Sequence, residues 1–313
     1  MIPIAEIRAA QRRIGPFVKR TPLVSSGALS ERLGTRVSLK LENFQKTGSF
    51  KPRGALNEVL LLDSGVRARG VVGWSGGNFA QGLAYAGGVV GIPTTIVMPE
   101  GTRPNYVAAT RGYGAEVELV PGVAESLAYA RSLAADGRPF MHPFDDPNMM
   151  AGNGTLGIEV VDDAPDVTDV FVSIGGGGLI AGMAGAVKAL VPGARVWGVE
   201  TEGAHGMRLA LDAGHPVDMT PTSIARTLGA PRVSARALEI VQALVEDVIV
   251  VSDGAAIDGV ITLLERAKVL AEPAAACTVP AAEKVAGRLG SHVVLVICGG
   301  NVSVDDLAEW VKE

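Results

Sequence analysis

Aromatic residues make up only 4% of the chain, histidine occurs four times and cysteine twice. Two cysteines, Cys277 and Cys298, cannot build a disulfide framework. The N-terminus also lacks the basic-then-apolar layout of a secretory signal, so both read as reduced thiols of a cytoplasmic protein. His142, His205, His215 and His292 lack metal-ligand spacing, and no H-E-x-x-H is present, which argues against a catalytic zinc. Positive charge is not in excess: 28 Lys and Arg stand against 33 Asp and Glu, a net charge of −5, so there is no basic footprint for nucleic acid. Short repeats and low-complexity linkers are missing as well. Charge is absent from two long runs, Val71–Met98 and Val170–Val187. Each is long enough to span a bilayer. Each also breaks into a short apolar strand, a glycine turn and a small-residue helix, which describes a buried parallel strand and its packed helix better than a membrane span.

What is abundant is glycine, 40 of 313 residues, within a chain that is 48% hydrophobic. That suffices for one large core or two smaller ones. The pattern predicts an amphipathic helix over Ile4–Ile14, a half-buried strand over "RVSLKLE" (36–42) and a helix over "KPRGALNEVLLL" (51–62). From Gly70 onward strands and helices alternate: "GVVGWS", "NFAQGLAYAGGVVG", "TTIVMP", "RPNYVAATRGYG", "AEVELVP", "VAESLAYARSLAADG" and "PFMHPF". The rhythm resumes with "DVFVSI", "GLIAGMAGAVKALV", "RVWGVE", "VEDVIVVSD", "DGVITLLERAKVL" and "HVVLVICGG". This is the signature of an α/β protein with open, mostly parallel sheets flanked by helices. Gly-, Asp- and Pro-rich "HPFDDPNMMAGNGT" (142–155) is the expected boundary between two lobes. Ligands in such folds bind beyond the carboxyl ends of strands, so the loops there matter most.

"GWSGG" (73–77) matches the G-x-S-x-G elbow of serine hydrolases, with Ser75 as nucleophile, and lies between a strand and a helix. No HGGG-type segment accompanies it, and His292 opens a strand instead of following one. It reads equally as a tight turn, or as a cradle in which the N–H groups of Gly76 to Phe79 hold a carboxylate. "SIGGGGLIAG" (173–182) fits G-x-G-x-x-A, with Glu200 closing the next strand as in dinucleotide sites. Four consecutive glycines exceed that pattern and suit a nest for a compact terminal phosphate; the plain alternative is a packing turn. Cys277 sits in an Ala-rich stretch and reads as core. Cys298 ends an apolar strand, either as a buried small residue or as a weak hydrogen-bond partner at the ligand-facing edge.

Lys51 falls in the first turn of the expected helix, where the helix dipole penalises a cation. A solvated surface lysine is the ordinary reading. The neighbouring Gly, Ser and Phe and the helix terminus point instead to a depressed pKa and an amine able to attack a carbonyl. A phosphate nest, a nucleophilic lysine and a carboxylate cradle together suggest pyridoxal phosphate (PLP) acting on an amino acid.

At this point the chain resembles a family: PLP enzymes of fold type II (tryptophan synthase β-like), in the serine/threonine dehydratase (threonine ammonia-lyase) and serine racemase branch. "KTGSFKPRGA" resembles its lysine segment, "SGGNFAQG" its substrate loop and "GGGGLIAG" its phosphate loop. "VETEGAHGM", "SIARTLGA", "AEPAAA" and "CGGN" follow in family order. The resemblance implies that Lys51 holds PLP as an imine and moves the Cα proton. It implies that Phe50 packs on the ring, Asn78 bonds the ring hydroxyl, and Cys298 faces the ring nitrogen. Gly175, Gly176, Gly177, Gly178 and Leu179 would bind the phosphate, and Ser75, Gly76, Gly77, Asn78 and Phe79 the substrate carboxylate. Glu200 and Ala204 match a structural cation site, here a monovalent one such as K⁺, because Gly206 stands where divalent-metal relatives carry an acid. It further implies a large PLP domain (1–72 and 144–313), a small substrate-loop domain (73–143) and a homodimer.

The implied activity is dehydration and deamination of L-threonine or L-serine to a 2-oxo acid and ammonia. A thiol is a poor acid partner for the ring nitrogen, so a carbanion would be short-lived and loss of a β-hydroxyl is favoured. A racemase needs a second acid/base on the far face of Cα. Family racemases place a serine there, and this chain has Gly76. The remaining alternatives are a racemase, a dehydratase of another β-hydroxy amino acid such as 3-hydroxyaspartate, and a serine hydrolase using Ser75. Phe79 replaces the family's common histidine and points to a bulkier or less usual substrate. With Glu313 following soon after "CGGN", a regulatory domain and end-product feedback are not expected.

Overall fold

The computed structural model describes residues 1–135 and 137–310. Ten strands in chain order are β1 (Leu23–Ser25), β2 (Arg36–Leu41), β3 (Val71–Trp74), β4 (Thr94–Pro99), β5 (Glu116–Val120), β6 (Phe140–Met141), β7 (Asp169–Ser173), β8 (Arg195–Thr201), β9 (Asp247–Val251) and β10 (His292–Ile297). They form a 6-stranded sheet, ordered β1-β2-β10-β7-β8-β9, and a 4-stranded sheet, ordered β5-β4-β3-β6. Every pair is parallel except β1 with β2. β10 and β7 are buried at every position, which is why their interiors, "VVLVI" and "VFV", read as apolar runs. Among the described residues no helix is long and apolar enough to cross a membrane.

The uncharged runs resolve as strand, turn and helix: β3 leads into the helix Asn78–Val90, and β7 into Gly178–Leu190. The segment 142–155 departs from expectation. Only its first residues form a connection, because a 17-residue helix, Pro147–Asp163, begins within it, capped by Asp146, whose side chain accepts the Asn148 and Met149 N–H groups. Its glycines serve close helix contact, not a loop. A Cβ on Gly182 would collide with the Met150 carbonyl and stand 2.6 Å from the Gly154 nitrogen. The expected division between residues 72 and 73 also cuts through β3, whose ladder starts at Val71, the Val71 N–H donating to the Pro93 carbonyl at 2.9 Å.

A buried charge cluster fixes the helix Lys51–Leu60. Arg53, 1% exposed, bonds Glu42 through Nε (2.8 Å) and Glu159 through a terminal nitrogen (2.7 Å). Lys40 reaches Glu159 at 2.8 Å, and Thr21 donates to Glu42 at 2.6 Å. The segment before this helix is laced to the end of β10: Phe50 N–H donates to the Cys298 carbonyl (3.0 Å), and Gly300 N–H to the Gly48 carbonyl (2.9 Å). Lys51 is thus held from both sides at the carboxyl edge of the large sheet.

Gly182→Ala should force the helices 147–163 and 178–190 apart and cost about 1–3 kcal/mol, read as a lowered thermal midpoint. Gly193→Ala, with nothing within 4 Å of the new Cβ, is the control and should stay within about 0.5 kcal/mol. Equal midpoints for the two variants would contradict the packing account.

Candidate active site

A cavity of ≈ 560 Å³ opens where the carboxyl ends of both sheets face each other. Phe50, Lys51, Ser75, Gly76, Gly77, Asn78, Phe79, Gly175, Gly176, Gly177, Gly178, Leu179 and Cys298 all line it. Glu200 and Ala204 do not.

Lys51 is the first residue of its helix, with Pro52 next, where its fixed φ and missing N–H cost nothing. Lys51 Nζ donates to the Pro143 carbonyl at 3.1 Å and lies 5.0 Å from the Phe50 ring centroid and 5.7 Å from that of Phe79. Burial lowers its pKa to about 8, against the opposing pull of Cys298 and Glu272. Desolvation is therefore a sufficient cause for a disfavoured ammonium. Cys298 closes β10, and burial raises its thiol well above the ordinary range, so it stands in the cavity wall as a neutral group. Its Sγ is 3.8 Å from the Ala274 carbonyl.

Two loops present free donors. After β7, the N–H groups from Gly175 to Leu179 have no acceptor among the described residues, and Gly177 turns the chain with φ 98° into the helix Gly178–Leu190. This nest at a helix start fits a phosphate. After β3, the amides divide. Ser75 N–H is used by the Val97 carbonyl (3.2 Å) and Gly77 N–H by Ser75 Oγ (3.1 Å), leaving Gly76, Asn78 and Phe79 as the available carboxylate donors. Thr102 Oγ1 stands 2.7 Å from where a Cβ on Gly76 would lie, so a hydroxyl is found beside residue 76 although that residue carries none. The Phe79 ring, 2% exposed, belongs to the core of the smaller lobe with Leu83 and Ile96 and also lines the cavity beside the Lys51 amine.

Residues not singled out in the sequence complete the wall. Glu272, from "AEPAAA", is 4% exposed and accepts from Asn78 Nδ2 at 2.9 and 3.1 Å and from Thr227 Oγ1 at 2.8 Å. Burial raises its pKa, against the lowering by those hydrogen bonds and Lys51. Asn301 Nδ2 donates to Asn78 Oδ1 at 2.8 Å, so both ends of the Asn78 amide are engaged and its orientation is set. An acid inside an Ala/Pro stretch was the available signal for Glu272, since such a residue is rarely buried without a task.

One expectation changes. Ser75 Oγ serves its own loop, and none of the four histidines lines the cavity. His292, at the amino end of β10, is occupied by Asp166 (2.9 Å) and Ser38 (3.0 Å). The hydrolase reading therefore lacks its base. Glu200 spends both oxygens on the Met207 and Arg208 N–H groups, each at 2.8 Å, capping the helix Gly206–Ala213; burial still raises its pKa to about 8. Among the described residues no group of three or more His, Cys, Asp or Glu could hold a metal ion.

A family model described as pyridoxal-phosphate dependent enzyme matches residues 14–299. The L-threonine ammonia-lyase of Geobacter sulfurreducens is 41% identical over 319 residues, covering 100% of this chain and 79% of that protein. Among solved structures, the threonine deaminase from T.th. superposes with TM-score 0.91 at 38% identity, over 96% of this chain and 99% of that one. Maize serine racemase superposes with TM-score 0.94 at 32% identity, over 99% and 97%. The free amides of residues 175–179 and the desolvated amine of Lys51 are what a phosphorylated aldehyde requires, and the chain belongs to the pyridoxal-phosphate-dependent enzymes, in their fold type II.

Proposed function

We propose that this chain converts a β-hydroxy amino acid, L-serine or L-threonine, to a 2-oxo acid and ammonia. The observation that carries the reading is the desolvated Lys51 amine between two sets of free backbone donors. Curated relatives named threonine ammonia-lyase or threonine dehydratase, at 37–41% identity over nearly the whole chain, support it. PLP, when bound, supplies an aldehyde for the substrate amine and a conjugated ring that withdraws electrons from Cα. Gly175 to Leu179 hold its phosphate. Gly76, Asn78 and Phe79 hold the substrate carboxylate, which fixes Cα over Lys51. Lys51 would take the Cα proton, and the burial that lowers the pKa of its amine favours the neutral form such a step requires. Cys298, protonated and uncharged, would offer no charge to the ring nitrogen, so charge at Cα would best be relieved by losing the β-hydroxyl, the Cα proton and the hydroxyl departing in sum as one water.

The finer assignments belong to the same reading. The lobes act as a PLP domain and a substrate-loop domain, and the chain works as a homodimer in the cytoplasm. A monovalent cation is assigned to the turn at Glu200 and Ala204, where the buried Glu200 carboxylate keeps lone pairs beyond the two N–H bonds it accepts.

A second reading, racemisation, draws support from the Thr102 hydroxyl beside Gly76. With L-serine, 2-oxo acid should form faster than D-serine, and Thr102→Val should lower the ratio of D-serine to 2-oxo acid, followed by chiral chromatography. D-serine outrunning 2-oxo acid would overturn the lyase reading.

The primary test is 2-oxo acid release from L-serine and L-threonine by the PLP-loaded protein, with Lys51→Ala abolishing it. The pH dependence follows from the amine. Because its pKa is lowered to about 8, the reactive neutral form grows as pH rises through 8 and then saturates. PLP capture by cofactor-free protein should accelerate up to about pH 8 and level off above it. A rate still climbing about tenfold per unit to pH 10 would mean an ordinary lysine.

A further inference from the structure

The charges on the cavity wall do not cancel. Arg103 is paired with Asp306, and Glu272 is held by Asn78 and Thr227. Lys51 is committed to the cofactor and the Cα proton. Arg226 remains. It lines the cavity, and its guanidinium makes no hydrogen bond or ion pair to any other described residue. The backbone that carries it is nonetheless fixed. Ser223 Oγ and Ile224 N–H donate to Asp253 at 2.5 and 3.0 Å, Thr227 is tied to Glu272, and Leu228 is buried. The turn Arg226–Leu228 also bridges the two donor loops. Thr227 Cγ2 lies 3.6 Å from where a Cβ on Gly77 would be, and the Leu228 carbonyl 3.3 Å from that of Gly175. Arg226 is solvent-exposed while lining the cavity, which puts its guanidinium at the cavity mouth, and Tyr106, half-buried on the same wall, is within reach of its charge: burial raises the Tyr106 pKa while Arg103 and Arg226 lower it.

Neither L-serine nor L-threonine offers this arginine a partner, since their β-carbons carry a hydroxyl and at most a methyl. We infer that Arg226 receives an anionic group on the substrate's β-carbon, which extends the substrates beyond L-serine and L-threonine to β-hydroxy dicarboxylic amino acids of the 3-hydroxyaspartate kind. The inference rests on the lyase reading and widens its substrate class. A guanidinium fork matches a carboxylate in shape and charge. The α-carboxylate has its own donors at Gly76, Asn78 and Phe79, so the second carboxylate would extend toward the mouth.

The test compares PLP-loaded wild type, Arg226→Ala and Arg226→Lys. Two readouts are taken: kcat/KM for L-serine, L-threonine and the L-isomers of 3-hydroxyaspartate, and binding of the unreactive pair succinate and propionate, followed by the fluorescence of Trp74 and Trp310 on the cavity wall. The ratio of kcat/KM for 3-hydroxyaspartate to that for L-serine should fall about 10- to 100-fold in Arg226→Ala, mostly through KM, the loss of one charge-assisted contact. Arg226→Lys should recover part of it. Succinate should bind wild type more tightly than propionate, and the two should converge in Arg226→Ala. The inference is overturned if all substrates lose equally, which would put Arg226 on the α-carboxylate, or if PLP affinity falls, which would put it on the cofactor phosphate. Should no amino acid react while succinate still depends on Arg226, the lyase reading fails and the anion site stands. Should L-serine react while succinate and 3-hydroxyaspartate ignore Arg226, the anion site fails and the lyase stands.

Discussion

The bridge from Arg53 to Glu42 and Glu159 is the constraint on which the rest of this structure depends. It lies at the junction of the Lys51 helix, the end of β2 and the helix Pro147–Asp163, and it is closed on every side: Arg53 also meets Thr155 at 3.2 Å and the Lys19 carbonyl at 3.3 Å. Burial works against the charge of Arg53, but Glu42 and Glu159 hold its pKa above the ordinary range; Glu42 is in turn lowered despite its own burial. Such a cluster adds little net stability over apolar packing, yet breaking one member of a buried pair typically costs about 3–5 kcal/mol. Its value is positional. It allows one docking of the helix and so one location for the amine two residues earlier.

Lys51 and Arg53 show how the same cation is treated in two ways within one turn. Arg53 is surrounded by carboxylates and stays charged. Lys51 is given a carbonyl, two aromatic rings and no carboxylate within bonding distance, and its ammonium is disfavoured. The neighbouring polar groups are spent on one another: Asn78 on Glu272 and Asn301, Ser75 on Gly77. Among the described residues, what faces the cavity without a carboxylate partner is backbone N–H, the Lys51 amine, a neutral thiol, the Thr102 hydroxyl and Arg226. That inventory receives anions at fixed points and sets the Lys51 amine among few groups able to move a proton.

Much of this was legible in the sequence because it rests on local rules. Parallel strands buried on both faces read as apolar runs, and "GGGG" after such a strand reads as a donor nest whichever phosphate it serves. Lys51 was visible because a cation in a first turn is anomalous. The cause of its anomaly was not: burial depends on Pro143, Phe50 and Phe79 converging from three segments. The helix at 147–163 was hidden for a similar reason. Its glycines look like loop residues until the partner helix is seen pressing on them. Arg53 passed as one more charged residue in a helix, since nothing local shows that Glu159 lies opposite. Gly76 shows locally that residue 76 carries no hydroxyl, whereas nothing local shows that Thr102, from the loop after another strand, stands beside it.

The central claim is that Lys51 alone carries the cofactor. Borohydride reduction of the PLP-loaded protein, followed by proteolysis and mass spectrometry, tests it most directly. The account predicts a single pyridoxyl-bearing peptide, modified at Lys51. Label at another lysine, or spread over several with Lys51 unmodified, would contradict it.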